Sequence, residues 1–173
     1  MTGAADYAGT YTAPENRKLV IAGEGDLLRL VHAGERVPLE RIGPDTFVVS
    51  HPDFTLFPLS FGRTETEGVT EASHGGDWYA GERYAGPRPA ASPELQAYAG
   101  HYRNENPWEG SVRLVVSKGR LMAGGAELVP LGEGVFRLGE EEHAPDRVRF
   151  EEVVGGKARR AVFSGTEYRR VET

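Results

Sequence analysis

The strongest constraint on the fold is an internal repeat, because short motifs of the first half return in the same order in the second half. Residues 7–11 read Tyr-Ala-Gly-Thr-Tyr, and residues 98–102 read Tyr-Ala-Gly-His-Tyr. Further matches follow at separations of 84 to 94 positions, the last pairing residues 78–84 with 162–168. This alignment puts an extra stretch of about nine residues in the first copy, around 62–68. A colinear series of this kind predicts two structural units.

The boundary between the units follows from composition. Residues 85–93 are rich in proline and small side chains, which is typical of a semi-rigid linker. Ser92, Pro93 and Glu94 then form a helix-start pattern with a side-chain cap, and Gly100 keeps that helix short. We therefore predict a first repeat over 1–86, a linker and short helix over 87–97, and a second repeat over 98–173.

The pattern within each copy favours β-strands. The chain contains 23 glycines and 11 prolines in 173 residues, and short stretches of alternating apolar and polar residues lie between these turn formers. The second copy divides into about eight strands, which predicts a closed antiparallel up-and-down barrel. The predicted fold is therefore all-β, with two tandem small eight-stranded barrels; the alternative is one larger pseudo-symmetric lipocalin-like barrel. With strands this short, we expect side chains to fill each interior.

Composition and motifs argue against several kinds of catalytic chemistry. The chain has no cysteine, no Ser-x-x-Lys and no Gly-x-Ser-x-Gly. Its five histidines include no pair at the short spacing typical of metal ligands on one strand or helix. His51 with Asp53, and His143 with Asp146, are interpreted as turns in which the Asp side chain bonds local backbone. We expect no enzyme activity, no metal and no cofactor.

The charge balance argues against two classes of partner. The chain carries 26 acidic and 20 basic residues, a net charge of −6, whereas nucleic acids and anionic membranes bind basic surfaces. No apolar run approaches the length of a membrane span. We expect a soluble chain, cytoplasmic or exported as part of a longer protein.

One aromatic residue lies in an unusual setting. Trp108 belongs to the polar segment 104–110, Asn-Glu-Asn-Pro-Trp-Glu-Gly, in which most residues favour turns. An exposed tryptophan there would anchor an interface; alternatively, it folds back to plug the mouth of its own barrel. The candidate interface or barrel-mouth residues are Trp108, Pro107, Tyr102, His101 and Trp78.

Three stretches, 74–87, 98–110 and 112–121, resemble the region that follows the catalytic domain in β-lactamase-related, penicillin-recognising serine hydrolases such as D-aminopeptidases. The resemblance implies lipocalin-like eight-stranded barrels. Gly-Thr-Tyr at 9–11 and Gly-His-Tyr at 100–102 are similar to the Gly-x-Trp that opens a lipocalin. A late arginine stacks across that tryptophan in the family, and Arg83 and Arg169 or Arg170 are its plausible counterparts.

The same resemblance implies an accessory role, since the catalytic domain and its motifs are absent from these 173 residues. Such a module packs on its own or a cognate hydrolase catalytic domain, shapes substrate access, or mediates self-association. The alternative function is lipocalin-like binding of a small apolar ligand inside a barrel.

Overall fold

The computed structural model describes residues 3–90 and 92–172 and contains two closed, eight-stranded antiparallel barrels. The chain divides into two compact units between Arg88 and Pro89. Each sheet closes on itself, so the predicted tandem barrels are confirmed and the alternative of one larger barrel is wrong. Position 91 of the predicted linker lies outside the described residues, as do positions 1, 2 and 173 at the outer ends of the predicted repeats.

The first barrel is a simple meander. Every strand pairs with the next, and the last returns to the first. A 3₁₀ turn at Ala4–Asp6 precedes the barrel, and a second 3₁₀ turn, Pro52–Phe54, lies between the fifth and sixth strands. The strands are β1 Gly9–Thr12, β2 Lys18–Glu24, β3 Leu27–His32, β4 Glu35–Gly43, β5 Thr46–Val49, β6 Leu59–Thr64, β7 Gly68–His74 and β8 Asp77–Gly81.

The second barrel repeats this meander after helix α1, Pro93–Gln96. Ser92 precedes the helix as predicted, but its hydroxyl donates to the Gly119 carbonyl (3.3 Å) and makes no cap bond to the helix. Among the described residues, no helix is long and apolar enough to cross a membrane. The strands are β9 Gly100–Arg103, β10 Ser111–Ser117, β11 Arg120–Ala123, β12 Ala126–Gly132, β13 Val135–Leu138, β14 Arg147–Val154, β15 Lys157–Phe163 and β16 Thr166–Arg170.

Alternating side chains fill the interior of each barrel. In β14, for example, Val148 and Phe150 are buried while Arg147 and Arg149 are exposed, because successive residues of a strand face opposite sides of the sheet. Three aromatic rings pack edge to face or tilted at the centre of each core. They are Tyr7, Phe47 and Phe61 in the first barrel, and Tyr98, Phe136 and Phe150 in the second.

The strand ladders correct the alignment of the two copies. Phe61 faces Ala72, which faces Tyr79; in the second barrel Phe150 faces Ala161, which faces Tyr168. Tyr168 is therefore the counterpart of Tyr79, and matching the segments 78–84 and 162–168 letter by letter was wrong by five positions. All three pairs lie 89 positions apart, so the extra residues expected around 62–68 are absent.

The length difference lies instead in the third hairpin. Leu28 and Leu39 occupy the ladder positions that Leu121 and Leu128 occupy in the second copy. The β3–β4 hairpin is therefore four residues longer than β11–β12, since those leucines are 11 positions apart in the first barrel and 7 in the second. Hairpin tips tolerate such changes because they lie outside the core.

An arginine links the first and last strands of the second barrel, and we call its set of contacts the Arg170 bracket. Arg170 of β16 stacks over the ring of Tyr102 in β9, with 5.0 Å between its guanidinium carbon and the ring centroid. The guanidinium donates to the Tyr102 hydroxyl (2.9 Å) and to the carbonyls of Ala158 (2.7 Å) and Ala97 (3.0 Å). The Tyr102 hydroxyl donates in turn to the Tyr98 carbonyl (2.8 Å). Of the two predicted candidates in this copy, Arg170 makes the stacking contact.

In the first barrel the corresponding arginine, Arg83, bonds backbone near the seam but does not stack on Tyr11 as Arg170 stacks on Tyr102. Gly81 faces Tyr11, as Arg170 faces Tyr102. A side chain at Gly81 would bring its Cβ within 2.7 Å of the Thr70 carbonyl oxygen, which explains the glycine. Arg83, two residues later, donates to the carbonyls of Asp6 (2.8 Å) and Glu67 (3.1 Å).

We predict that Arg170→Met lowers the free energy of unfolding of the second barrel by about 2 to 3 kcal/mol, because it removes charge-assisted bonds to three acceptors. Arg169→Met is the matched control. Arg169 is the adjacent, outward-facing residue, and its ion pairs with Glu152 and Glu167 are exposed, so its loss should cost less than about 0.5 kcal/mol. Residue-resolved hydrogen exchange of β10 and β15 amides reports on this barrel alone. Equal losses in the free energy of unfolding for the two variants would contradict a stabilising role of the Arg170 bracket.

Candidate functional site

Trp108 is the most exposed large apolar side chain among the described residues. It lies in the β9–β10 connection, residues 104–110, and its relative exposure is 95%. The expectation that Trp108 folds back to plug its own barrel is therefore wrong. Pro107 beside it is also exposed and fixes one backbone angle of the loop.

Two asparagines shape this loop, which we call the Trp108 loop. The Asn104 side-chain oxygen accepts a hydrogen bond from the Asn106 amide (2.6 Å), and the Asn106 side-chain oxygen accepts one from the Trp108 amide (3.1 Å). The Asn104 amide donates to the Gly110 carbonyl (3.1 Å), which closes the loop at its base. These consecutive Asx turns order the backbone, so the tryptophan is displayed on a structured loop.

The last strand of the barrel also holds the loop. The Asn104 side-chain nitrogen donates to the Glu167 carbonyl of β16 (2.6 Å), and the Tyr168 hydroxyl donates to the Glu109 carbonyl (3.3 Å). Asn104 was predicted only as a turn residue, and Glu167 was not a candidate site residue. The spacing of two asparagines before a Pro-Trp pair is the local signal that predicts Asx turns, whereas the contact with β16 depends on barrel closure.

A charged cleft of about 320 Å³ opens beside the loop. It is lined by Arg103, Asn104, Glu105, Glu167 and Arg169. An ion pair of 2.9 Å joins Arg169 to Glu167, and both side chains remain about half exposed. An exposed aromatic ring on a loop that also contributes to a charged cleft combines the apolar and polar parts of a protein interface. The lining residues are Arg, Asn and Glu, so this cleft contains no hydroxyl or thiol nucleophile.

His101 lies on the outer face of β9, next to this cleft. Its strand partner is Arg113, and Arg103 follows on the same face. The Nε2 atom of His101 is buried and has no hydrogen-bond partner within the described part of the chain. Burial lowers the pKa of His101, and the positive charges of Arg113 and Arg103 lower it further. His101 is therefore a neutral imidazole at pH 7 in the folded protein.

The other two candidate residues are not available to a partner. Tyr102 is fully buried and belongs to the Arg170 bracket, where burial raises its pKa. Trp78 is 5% exposed; Tyr84 packs on it at 5.0 Å between ring centroids, and its indole nitrogen donates to Glu71 (2.7 Å). Both side chains are buried, so neither Tyr102 nor Trp78 is exposed as an interface residue.

Replacing Asn104 with alanine should loosen the Trp108 loop without unfolding the barrel. The variant loses the acceptor for the Asn106 amide and the bond to Glu167, each worth about 1 kcal/mol, so the loop amides should exchange at least roughly tenfold faster. Hydrogen exchange of the Asn106 and Trp108 amides measures this effect. Glu105→Ala, an exposed change in the same loop, is the control. Unchanged exchange in the Asn104 variant would show that the loop is ordered by other contacts.

The low pKa of His101 predicts a pH dependence of stability. Below about pH 6.5 the unfolded chain binds a proton at this histidine while the folded barrel resists it, so stability is lost as pH falls. His101→Gln should reduce the loss of second-barrel stability between about pH 7.5 and pH 5, measured by hydrogen exchange at each pH. The same substitution at exposed His143 should leave the wild-type dependence in place. A His101 variant that is as acid-sensitive as the wild type would contradict the assignment.

Comparisons with known proteins assign no family to this chain. No protein-family model, no curated protein and no solved structure matches the chain. The resemblance to the region after the catalytic domain of β-lactamase-related hydrolases therefore stays a hypothesis based on the motifs of the sequence.

Proposed function

We propose that this chain is a non-catalytic accessory module that docks on a serine hydrolase catalytic domain through the Trp108 loop. The observation that carries the proposal is the combination of 95% exposure and a hydrogen-bonded backbone at Trp108. Transfer of a large apolar surface from water into an apolar pocket is favourable, and the structured loop keeps this ring in water until a partner covers it.

The loop is also preorganised for binding. Interface tryptophans contribute most when little conformational entropy is lost on association. Here the two Asx turns and the contacts with β16 already fix the backbone of the loop. Arg103, Glu105 and Arg169 line the cleft beside the loop with charges of both signs, which favours a partner surface that is polar next to the pocket for the ring.

The choice of partner rests on the sequence motifs. The stretches 74–87, 98–110 and 112–121 resemble the segment that follows a Ser-x-x-Lys catalytic domain, and 98–110 contains the whole Trp108 loop. In this proposal the loop packs beside the active-site cleft of that domain and influences substrate access.

Binding of a small apolar ligand inside a barrel has less support. The second barrel is filled by its own side chains, with Tyr102, Leu114, Leu121, Leu128, Phe136 and Val148 all essentially inaccessible to solvent. An eight-stranded barrel filled in this way leaves little interior space for a guest molecule. The cleft at the Trp108 loop is charged and open, which is unsuited to an apolar ligand.

The proposal is tested by mixing the chain with a separately produced Ser-x-x-Lys catalytic domain of a β-lactamase-related D-aminopeptidase from the same organism. Calorimetry should detect a one-to-one complex, and Trp108→Ala should weaken it by about 30-fold or more, as expected for a hot-spot tryptophan. Leu131→Ala is the matched control, because Leu131 is 49% exposed at the opposite end of the same barrel. It should change the affinity by less than about twofold.

Sedimentation of the chain alone separates docking from self-association. A concentration-dependent dimer that is lost in Trp108→Ala would place the loop between two copies and overturn the hydrolase partner. A complex that tolerates Trp108→Ala would overturn the role of the loop, and absence of any complex would overturn the accessory function.

A further inference from the structure

Two histidines and an aspartate converge at one end of the first barrel. His32 is the last residue of β3, and His51 and Asp53 lie in the connection between β5 and β6. In an up-and-down meander, odd-numbered strands all finish at the same end, so the topology brings these two connections together. Their potential ligand atoms lie within 4.8 Å of one another.

The local sequence determines the positions of His51 and Asp53. His51 has an extended backbone and is followed by Pro52, whose ring favours the start of the 3₁₀ turn. That turn carries Asp53 back over His51, and the Asp53 amide donates to the His51 Nδ1 atom (3.2 Å). Because Nδ1 accepts this bond, the proton of neutral His51 resides on Nε2, and an ion bound at Nδ1 takes the place of the Asp53 amide as the partner of that lone pair. The sequence predicted that the Asp53 side chain accepts a bond from local backbone. Instead, the His51 side chain accepts a bond from the Asp53 backbone amide.

The distances between the potential ligand atoms are close to those between ligands of a bound metal ion. The Asp53 Oδ2 atom lies 2.8 Å from His32 Nε2 and 3.8 Å from His51 Nδ1. Ligands bound to zinc at about 2.0 to 2.2 Å in a tetrahedron are separated by roughly 3.3 to 3.6 Å, which lies between these two values. All three potential ligand atoms lie within 4.8 Å of one another, so small side-chain rotations bring them around one ion.

The surroundings support the same geometry. Phe54 is buried and packs edge-on against both imidazoles, at 5.2 Å from His32 and 6.2 Å from His51 between ring centroids. The two imidazoles contact each other at 4.7 Å. The exposed fraction rises from 18% at the His51 side chain to 33% at His32 and 64% at Asp53, so the group is walled on one side and open on the other.

We propose that His32, His51 and Asp53 bind one divalent zinc ion, with a fourth position open to solvent on the Asp53 side. Two imidazoles and one carboxylate form a donor set suited to zinc and neighbouring first-row metals, whereas calcium and magnesium prefer oxygen ligands throughout. This site is independent of the Trp108 loop, which belongs to the other barrel.

The second barrel lacks this donor set and provides an internal control. The 89-position offset on both sides of the β5–β6 connection places Glu140 and Glu142 where His51 and Asp53 lie. The shorter β11–β12 hairpin has no residue equivalent to His32. His143 belongs to the same connection but has no imidazole partner there, and Asp146 instead accepts a bond from Ser164 (2.9 Å). We therefore expect one zinc ion per chain.

The test is a calorimetric titration of the full chain with zinc chloride after treatment with a chelator. We expect saturable one-to-one binding at micromolar concentrations, and His32→Asn and Asp53→Asn should each weaken it at least about tenfold. His143→Asn should change the affinity by less than about twofold. Circular dichroism and the thermal midpoint in chelator show whether each variant is folded, since asparagine is close in size to both native side chains.

Cobalt binding provides a second measurement, which detects light absorption and not the heat of binding. Co²⁺ should give a visible absorption band with the wild-type chain and the His143 variant, and this band should be lost in folded His32→Asn. No saturable zinc binding by the wild type below about 100 μM would overturn the proposal. Unweakened one-to-one binding in folded His32→Asn and Asp53→Asn would overturn it equally, because the ion would then lie elsewhere.

Discussion

Each barrel depends on a short seam between its first and last strands. Within the described parts of the chain, two pairs of residues face each other there in either copy, Arg170 with Tyr102 being one of them in the second barrel. So short a ladder provides few backbone hydrogen bonds, and an open seam would expose two strand edges to other chains. Side chains supply the missing bonds: a buried tyrosine hydroxyl bonds backbone four residues earlier in both copies, and an arginine joins the segment before the barrel to the closing strands.

The same seam positions the candidate interface. Strand β9 leads directly from Tyr102 into the Trp108 loop, and Asn104, the first residue after β9, bonds the Glu167 carbonyl on the closing strand β16. The loop therefore contacts both strands of the seam, and these contacts keep its backbone ordered. The Arg170 bracket joins the same two strands through Tyr102, so the interior contacts and the Trp108 loop share one seam.

The sequence predicts the architecture better than the sites. Strand alternation and turn residues give two eight-stranded barrels, because these signals are local and repeated. Letter matching failed where chance similarity around Tyr84 outweighed the true counterpart of Tyr168, which is Tyr79, since only the ladder shows which residues share a core position. Exposure of Trp108 was one of two expectations, and a polar loop composition alone does not decide between a displayed ring and a folded-back one.

Divergence of the two copies explains where the candidate sites lie. The aromatic triads and the tyrosine bonds are shared, because a filled barrel of this size tolerates few changes in core volume. Connections at the strand ends carry no such restriction, and there one copy has gained two histidines and the other an Asx-stabilised tryptophan. The His32–Asp53 contact was invisible in the sequence, since spacing rules examine one strand or helix at a time. The up-and-down meander instead brings together residues 21 positions apart across an intervening strand, so comparing equivalent connections in aligned barrels is the physical route to such sites.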